Sequence, residues 1–189
     1  NKNLLVTFHP VTLEGVSSSA SQFKELLLAL DELTDTVLIF TLPNADTGGR
    51  ALGVIVEEFV EARPNAFLFK SLGQRRYFSC LKHVDAVVGN SSSGLIEAPS
   101  FEIGTINIGD RQLGRLKSRS VIDCLPDRCS IREGLSELYS QAFQAKLKGV
   151  DNLYGNGGAA NAIVDVLSNY PMQNILKKSF YDQPIEDLV

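Results

Sequence analysis

Ala86-Val87-Val88-Gly89-Asn90-Ser91-Ser92-Ser93-Gly94-Leu95-Ile96-Glu97 is the stretch on which the reading of this chain turns. An apolar run leads into a hydroxyl-rich turn, and a short apolar helix is predicted to follow. That order gathers backbone N–H groups and Ser hydroxyls at a helix N-terminus, where the helix dipole favours an anion, most often phosphate. The flanking glycines let a ligand come close to the backbone. Glu97 falls one turn into the helix. A carboxylate there is a poor phosphate ligand, being so near the anion, but it is placed to accept hydrogen bonds from a sugar diol. Phosphate donors beside a diol acceptor suggest a nucleotide. The plainer readings of the same residues are helix capping by Ser and solvation of Glu97.

Working outward, strand and helix alternate. Leu4–Phe8, Val37–Leu42, Ala66–Phe69, Asp85–Val88, Thr105–Ile108 and Val121–Asp123 read as strands, apolar on both faces. Helical spacing recurs over Ser17–Leu33, from Gly48-Gly49 to about Ala62, over Gln74–Lys82, from Ile131 to about Lys146, and over Ala159–Leu167. Pro99 is expected to end or kink the helix after the Ser turn. Such alternation implies an α/β fold: a parallel, Rossmann-like sheet with helices on both faces. Ligands of such sheets bind at the carboxyl ends of the strands. The polar loops His9-Pro10-Val11-Thr12, Pro43-Asn44-Ala45-Asp46, Ser71-Leu72-Gly73, Asn90–Gly94 and Gly109-Asp110-Arg111 should therefore share one edge.

The bulk properties narrow the field. The chain has 189 residues and a formal net charge of -4, which disfavours a nucleic-acid surface. No apolar run is long enough for a membrane span, and no signal-peptide pattern opens the chain. Cys80, Cys124 and Cys129 lack metal-ligand spacing and read as reduced thiols of a cytoplasmic protein. Neither metal nor cofactor is implied. The one Met is Met172, and residue 1 stands just before a strong strand, so the chain is expected to be a piece of a longer protein. Residues 1–170 are expected to form one domain, with 171–189 a helix or tail.

Each loop residue has two readings. Arg111 offers a permanent charge and a fork for phosphate oxygens, or a salt bridge to Asp110 or Glu102. His9 could donate to a phosphate or move a proton, or could be structural. Asn44 could donate to a diphosphate or form an Asx turn with Asp46 structural beside it. Tyr77 could stack on a base or belong to the core. No carboxylate pair suits general acid/base work. Neither a G-x-x-x-x-G-K-[ST] loop nor a G-x-G-x-x-G after the first strand is present.

The ordered set HPVT (9–12), PNAD (43–46), GNSSSGLIEAPSF (89–101), INIGDRQLGR (106–115) and YGNGGAANAI (154–163) resembles the C-terminal half of the hydrolysing UDP-N-acetylglucosamine 2-epimerases. The resemblance covers about Leu4 to Leu167. It implies one half of a GT-B architecture, with the catalytic acids on an N-terminal domain that this chain lacks. It further implies that Ser91 and Ser92 hold a diphosphate with help from the Gly94 backbone, and that Glu97 accepts from ribose hydroxyls. Arg111 would lie by the diphosphate and Asn44 by the nucleotide-sugar. The Leu72 backbone would read uracil, with Tyr77 near the base and His9 near the reacting end. The ligand would be UDP or a UDP-sugar, and the full-length enzyme a possible homo-oligomer. Pro10-Val11-Thr12 is like the hydrolysing branch, where non-hydrolysing relatives carry an Arg-rich sequence. Asn156 stands where the family often has Asp, and Ile96 where some relatives have a basic residue. A GT-B glycosyltransferase domain and a non-catalytic nucleotide-sugar sensor are the competing readings.

Overall fold

The structure, a computed structural model, describes residues 2–11, 16–44, 48–173, 175–177 and 180, with backbone alone for 16 and 17. Thr12, Ala45 and Asp46 lie outside the described residues. Two compact units divide the chain, Asn1–Tyr154 and Gly155–Val189.

The first unit holds the sheet. Its strands are β1 (Lys2–Thr7), β2 (Thr36–Thr41), β3 (Ala66–Phe69), β4 (Ala86–Gly89), β5 (Gly104–Ile108) and β6 (Val121–Cys124). All pairings are parallel, in the order β3-β2-β1-β4-β5-β6. This is the doubly wound order, in which the chain reverses direction across the sheet between β1 and β4 and opens a crevice at their carboxyl ends. The helices are α1 (Val16–Leu30), α2 (Gly49–Glu61), α3 (Gly73–Leu81), α4 (Ser93–Ile96), α5 (Arg128–Leu138) and α6 (Gln141–Leu147), with a 3-10 turn at Ala98–Phe101. Every element expected from the sequence in this unit is present.

Alternation along β1 distributes the core. Leu4 and Val6 face one side and pack with Leu26 and Leu30 of α1, Leu52 and Val56 of α2, and Ile131 and Leu138 of α5. Leu5 faces the other side, with Leu81 of α3, Val84, Val87, Ala98 and Ile103. Each fully buried Leu or Ile contributes about 1.5–3 kcal/mol relative to exposure. A strand apolar on both faces is thus satisfied only between two helical layers.

One helix differs from expectation. The run Ile131–Lys146 is not one helix but two, α5 and α6. Ser140 adopts an extended backbone (φ -68°, ψ 145°), and its Oγ accepts from the Phe143 N–H at 3.2 Å, capping a new start. Gln144 Nε2 donates to the Leu138 carbonyl at 2.6 Å, satisfying the end of α5. The helix after the Ser turn is a single turn, as expected, because Pro99 sits in the 3-10 segment and cannot extend an α-helical ladder. A macrodipole needs more aligned peptides than α4 supplies, so any anion there would depend on individual donors.

In the second unit, α7 (Ala159–Asn169) begins after Gly158 in the left-handed conformation, and none of its residues is buried. Among the described residues no helix is long and apolar enough to cross a membrane.

Gly89 ends β4 at the switch point with φ +134°, and a Cβ there would lie 2.0 Å from the Thr7 carbonyl oxygen of β1. Backbone is on the receiving side, so the contact cannot be relieved by a rotamer change. Gly89→Ala is expected to lower unfolding free energy by about 3 kcal/mol or more, read as a fall in the urea midpoint with unchanged slope.

Candidate functional site

The registers set the exits of the central strands level: Thr7 stands opposite both Thr41 and Gly89, and Gly89 opposite Asn107. Thr7 and Thr41 join through their hydroxyls at 2.6 Å. A cavity of about 470 Å³ opens above these ends, within the range of small-molecule sites. His9, Asn44, Leu72, Tyr77, Ser91 and Glu97 line it, so the structure brings together six of the nine residues singled out from sequence. Thr7, Lys70 and Ser93 join them on the wall.

The other three are adjacent. Ser92 is the N-cap of α4, with its carbonyl taken by the Leu95 and Ile96 N–H groups at 3.0 Å. Gly94 is buried and donates its N–H to the Ser91 carbonyl at 3.3 Å. A Cβ on Gly94 would meet Thr105 Cγ2 at 2.5 Å, and Thr105 Oγ1 donates to the Gly94 carbonyl at 2.7 Å. Gly94 is therefore glycine because the turn rests on β5, rather than to admit a ligand. Arg111 extends back to the turn, where Nη1 donates to the Asn90 carbonyl at 3.0 Å.

Glu97 carries the most informative electrostatics. Its Oε2 is buried and has no hydrogen-bond partner among the described residues. A buried acceptor without a donor is costly, by about 1–3 kcal/mol or more for a charged group. A hydroxyl donor arriving in the cavity would remove that cost. Tyr77, beside it, pairs its hydroxyl with Ser93 Oγ. Burial pushes the Tyr77 phenol up to about 12; the Ser93 hydrogen bond opposes the shift and the nearby Glu97 charge adds to it. Tyr77 thus links α3 to the Ser turn through its hydroxyl while its body closes the cavity wall.

His9 is buried, and its Nδ1 accepts from the Asn44 N–H at 3.1 Å. A backbone N–H can only donate, so Nδ1 is unprotonated and the neutral ring keeps its hydrogen on Nε2. Gly73 enters α3 with φ +63° and its N–H on Ser71 Oγ at 3.2 Å, which shapes the loop carrying Leu72.

Asn90 was missed by sequence reasoning. It is fully buried, receives the His9 N–H on Oδ1 at 2.7 Å, and donates from Nδ2 to the His9 carbonyl at 2.8 Å. Its carbonyl also accepts from Gln112 Nε2 at 2.8 Å. In the sequence Asn90 reads as an ordinary turn residue, and nothing there shows that His9 lies across from it. Among the described residues, no group of three or more His, Cys, Asp or Glu is arranged to hold a metal ion.

The family model for UDP-N-acetylglucosamine 2-epimerase matches residues 1–168. The chain belongs to that family. It is 39% identical over 180 residues to the GDP/UDP-N,N'-diacetylbacillosamine 2-epimerase (hydrolyzing) of Campylobacter jejuni, covering 94% of this chain and 46% of that protein. It is 34% identical over 178 residues to the UDP-N,N'-diacetylbacillosamine 2-epimerase (hydrolyzing) of Legionella pneumophila, covering 94% and 45%. The chain spans about half the length of the curated relatives it matches. Among solved structures, the S. aureus MnaA–UDP co-structure superposes with a TM-score of 0.70 at 18% identity, over 97% of this chain and 48% of that one. That likeness identifies the fold, a Rossmann-like half of the GT-B type.

An unfolded tyrosine ionises near pH 10, whereas Tyr77 in the folded chain holds its proton to about 12. The protonated phenol therefore supports the fold in full below pH 10, and that support drains away as pH rises toward 12. Urea unfolding across this window should show stability falling by about 2 kcal/mol on account of Tyr77. Tyr77→Phe should remove that part of the alkaline slope.

Proposed function

We propose that this chain is the UDP-binding half of a hydrolysing UDP-N-acetylglucosamine 2-epimerase. The observation that carries the reading is Glu97, a residue of the same cavity wall as Ser91 and Ser93 at the switch point of the sheet, whose buried Oε2 has no hydrogen-bond partner among the described residues. Glu97 would accept from the ribose diol. Ser91 and Ser92 would donate to the diphosphate, with Arg111 adding charge at the same edge. The Leu72 backbone would read the base beside Tyr77. Asn44 and His9 would stand toward the sugar. Residues 1–170 would form this nucleotide domain, with 171–189 a helix or tail.

In the full-length protein the reaction would begin with loss of the sugar C2 proton to a base. The C1–oxygen bond would then break anti to it, and UDP would leave with the bonding electron pair. Water would add to the resulting 2-acetamidoglucal to give free N-acetylmannosamine. Negative charge grows on the departing diphosphate, and donors fixed at the Ser turn favour that change over the ground state. No carboxylate among the described residues is paired for the C2 proton transfer, so the chain alone is expected to bind UDP without turnover.

The names of the Campylobacter and Legionella relatives favour a second reading of the sugar, in which the substrate is UDP-N,N'-diacetylbacillosamine. Release of free sugar by the full-length enzyme from each UDP-sugar in turn, with no acceptor added, would choose between them. The same experiment would separate both from a glycosyltransferase or a sensor.

Calorimetric titration tests the binding claim directly. UDP should bind, UMP more weakly, and free N-acetylglucosamine hardly at all; equal affinity for UDP and UMP would remove the diphosphate role of Ser91, Ser92 and Arg111. Glu97→Ala should weaken UDP by about 10- to 100-fold, the worth of a charge-assisted hydrogen bond. If the carboxylate holds the ribose 2'-hydroxyl, the same substitution should have far less effect on 2'-deoxy-UDP.

A further inference from the structure

The geometry points to Asn90 as a positioning residue that sets His9 against the Ser turn. Its backbone N–H reaches the Thr7 carbonyl at 3.3 Å, continuing the ladder between β1 and β4. Beyond that rung the strands diverge, and the Asn90 side chain takes over. Its amide closes on both the N–H and the carbonyl of His9, at 2.7 and 2.8 Å, as a peptide group would. Because one His9 group only donates and the other only accepts, the amide can sit in one orientation alone. Asp at this place would lack the donor and set a buried carboxylate against the His9 carbonyl. Asn90 is fully buried and is absent from the cavity wall, so it acts through its neighbours.

The consequence reaches the His9 ring. With the His9 backbone clamped, its Nδ1 falls on the Asn44 N–H, and the ring is held in one tautomer. The residue after Asn90 is Ser91, and the Asn90 carbonyl anchors Arg111 and Gln112 from the loop after β5. One residue thereby ties the exits of β1, β4 and β5 together and fixes the spacing between the imidazole and the hydroxyls that follow.

Two readouts test this, one of them independent of any ligand. Nitrogen-15 NMR of the wild-type chain at pH 8 should show His9 as a single Nε2–H tautomer, with the Asn90 side-chain amide protons protected from exchange. Mixed tautomers, or rapid exchange of that amide, would overturn the inference even if every variant failed to fold. In Asn90→Asp and Asn90→Ala the His9 tautomers should mix; an unchanged His9 spectrum in a folded variant would also overturn it. The ligand readout rests on the proposed UDP site. Asn90→Ala should weaken UDP-N-acetylglucosamine, whose sugar His9 is proposed to face, roughly tenfold or more, the scale of one or two lost hydrogen bonds. In a His9→Ala background the same substitution should cost less than about threefold, since coupled residues lose their effects together. Undiminished loss in that background would mean that Asn90 acts on general stability or on the Ser turn alone, and would refute its positioning of His9. Absence of UDP binding by the wild type would refute the proposed function, while the NMR readout would still judge Asn90.

Discussion

The parallel pairing of β1 with β4 is the constraint on which the rest of the molecule depends. These are the two strands between which the sheet reverses its winding, and their backbones approach so closely at the exit that only glycine fits at position 89. Level registers on either side then bring the first residues of four loops to one height. A cavity at this edge follows from topology before any side chain is considered. What the side chains decide is its chemistry.

That chemistry is built from scarcity as much as from provision. The helix following the Ser turn is one turn long, so a strong dipole is not the source of attraction for an anion. In the proposed site, hydroxyls and a neighbouring guanidinium would supply it instead. Glu97 contributes an acceptor that the described residues leave unmet, in a wall otherwise closed by Tyr77 and its link to Ser93. Buried polar atoms in folded chains are nearly always satisfied, and an exception on a residue of a cavity wall is an argument for a ligand that donates. The chain spans about half the length of the curated relatives it matches.

Local signals made much of this legible. Runs such as Leu4–Phe8 and Ala86–Val88, apolar on both faces, allow little besides covered parallel strands, and the resemblance of the strand-end loops added their identity. Legibility failed where two local signals competed. Between Ile131 and Lys146 helical periodicity continues across Ser140, yet Ser140 caps a second helix, since a hydroxyl that can bond the N–H three residues on offers the backbone an alternative to the ladder. Gly94 looked like room for a ligand and proved to be room for Thr105, a neighbour eleven residues away along the chain but in contact across the turn.

The sequence by itself determined the alternation of elements, the burial of both sheet faces and the residue types gathered at the strand ends, because each of these is written in periodicity and turn chemistry over short windows. Tertiary structure alone decided which atoms meet: that the Asn90 amide closes on His9, that the His9 ring is held by Asn44, that Arg111 turns back to a carbonyl, and that one oxygen of Glu97 has no donor among the described residues. Those outcomes depend on contacts between residues up to 81 positions apart. No local pattern encodes such distances; they are fixed only when parallel strands settle into register and the helices close over them.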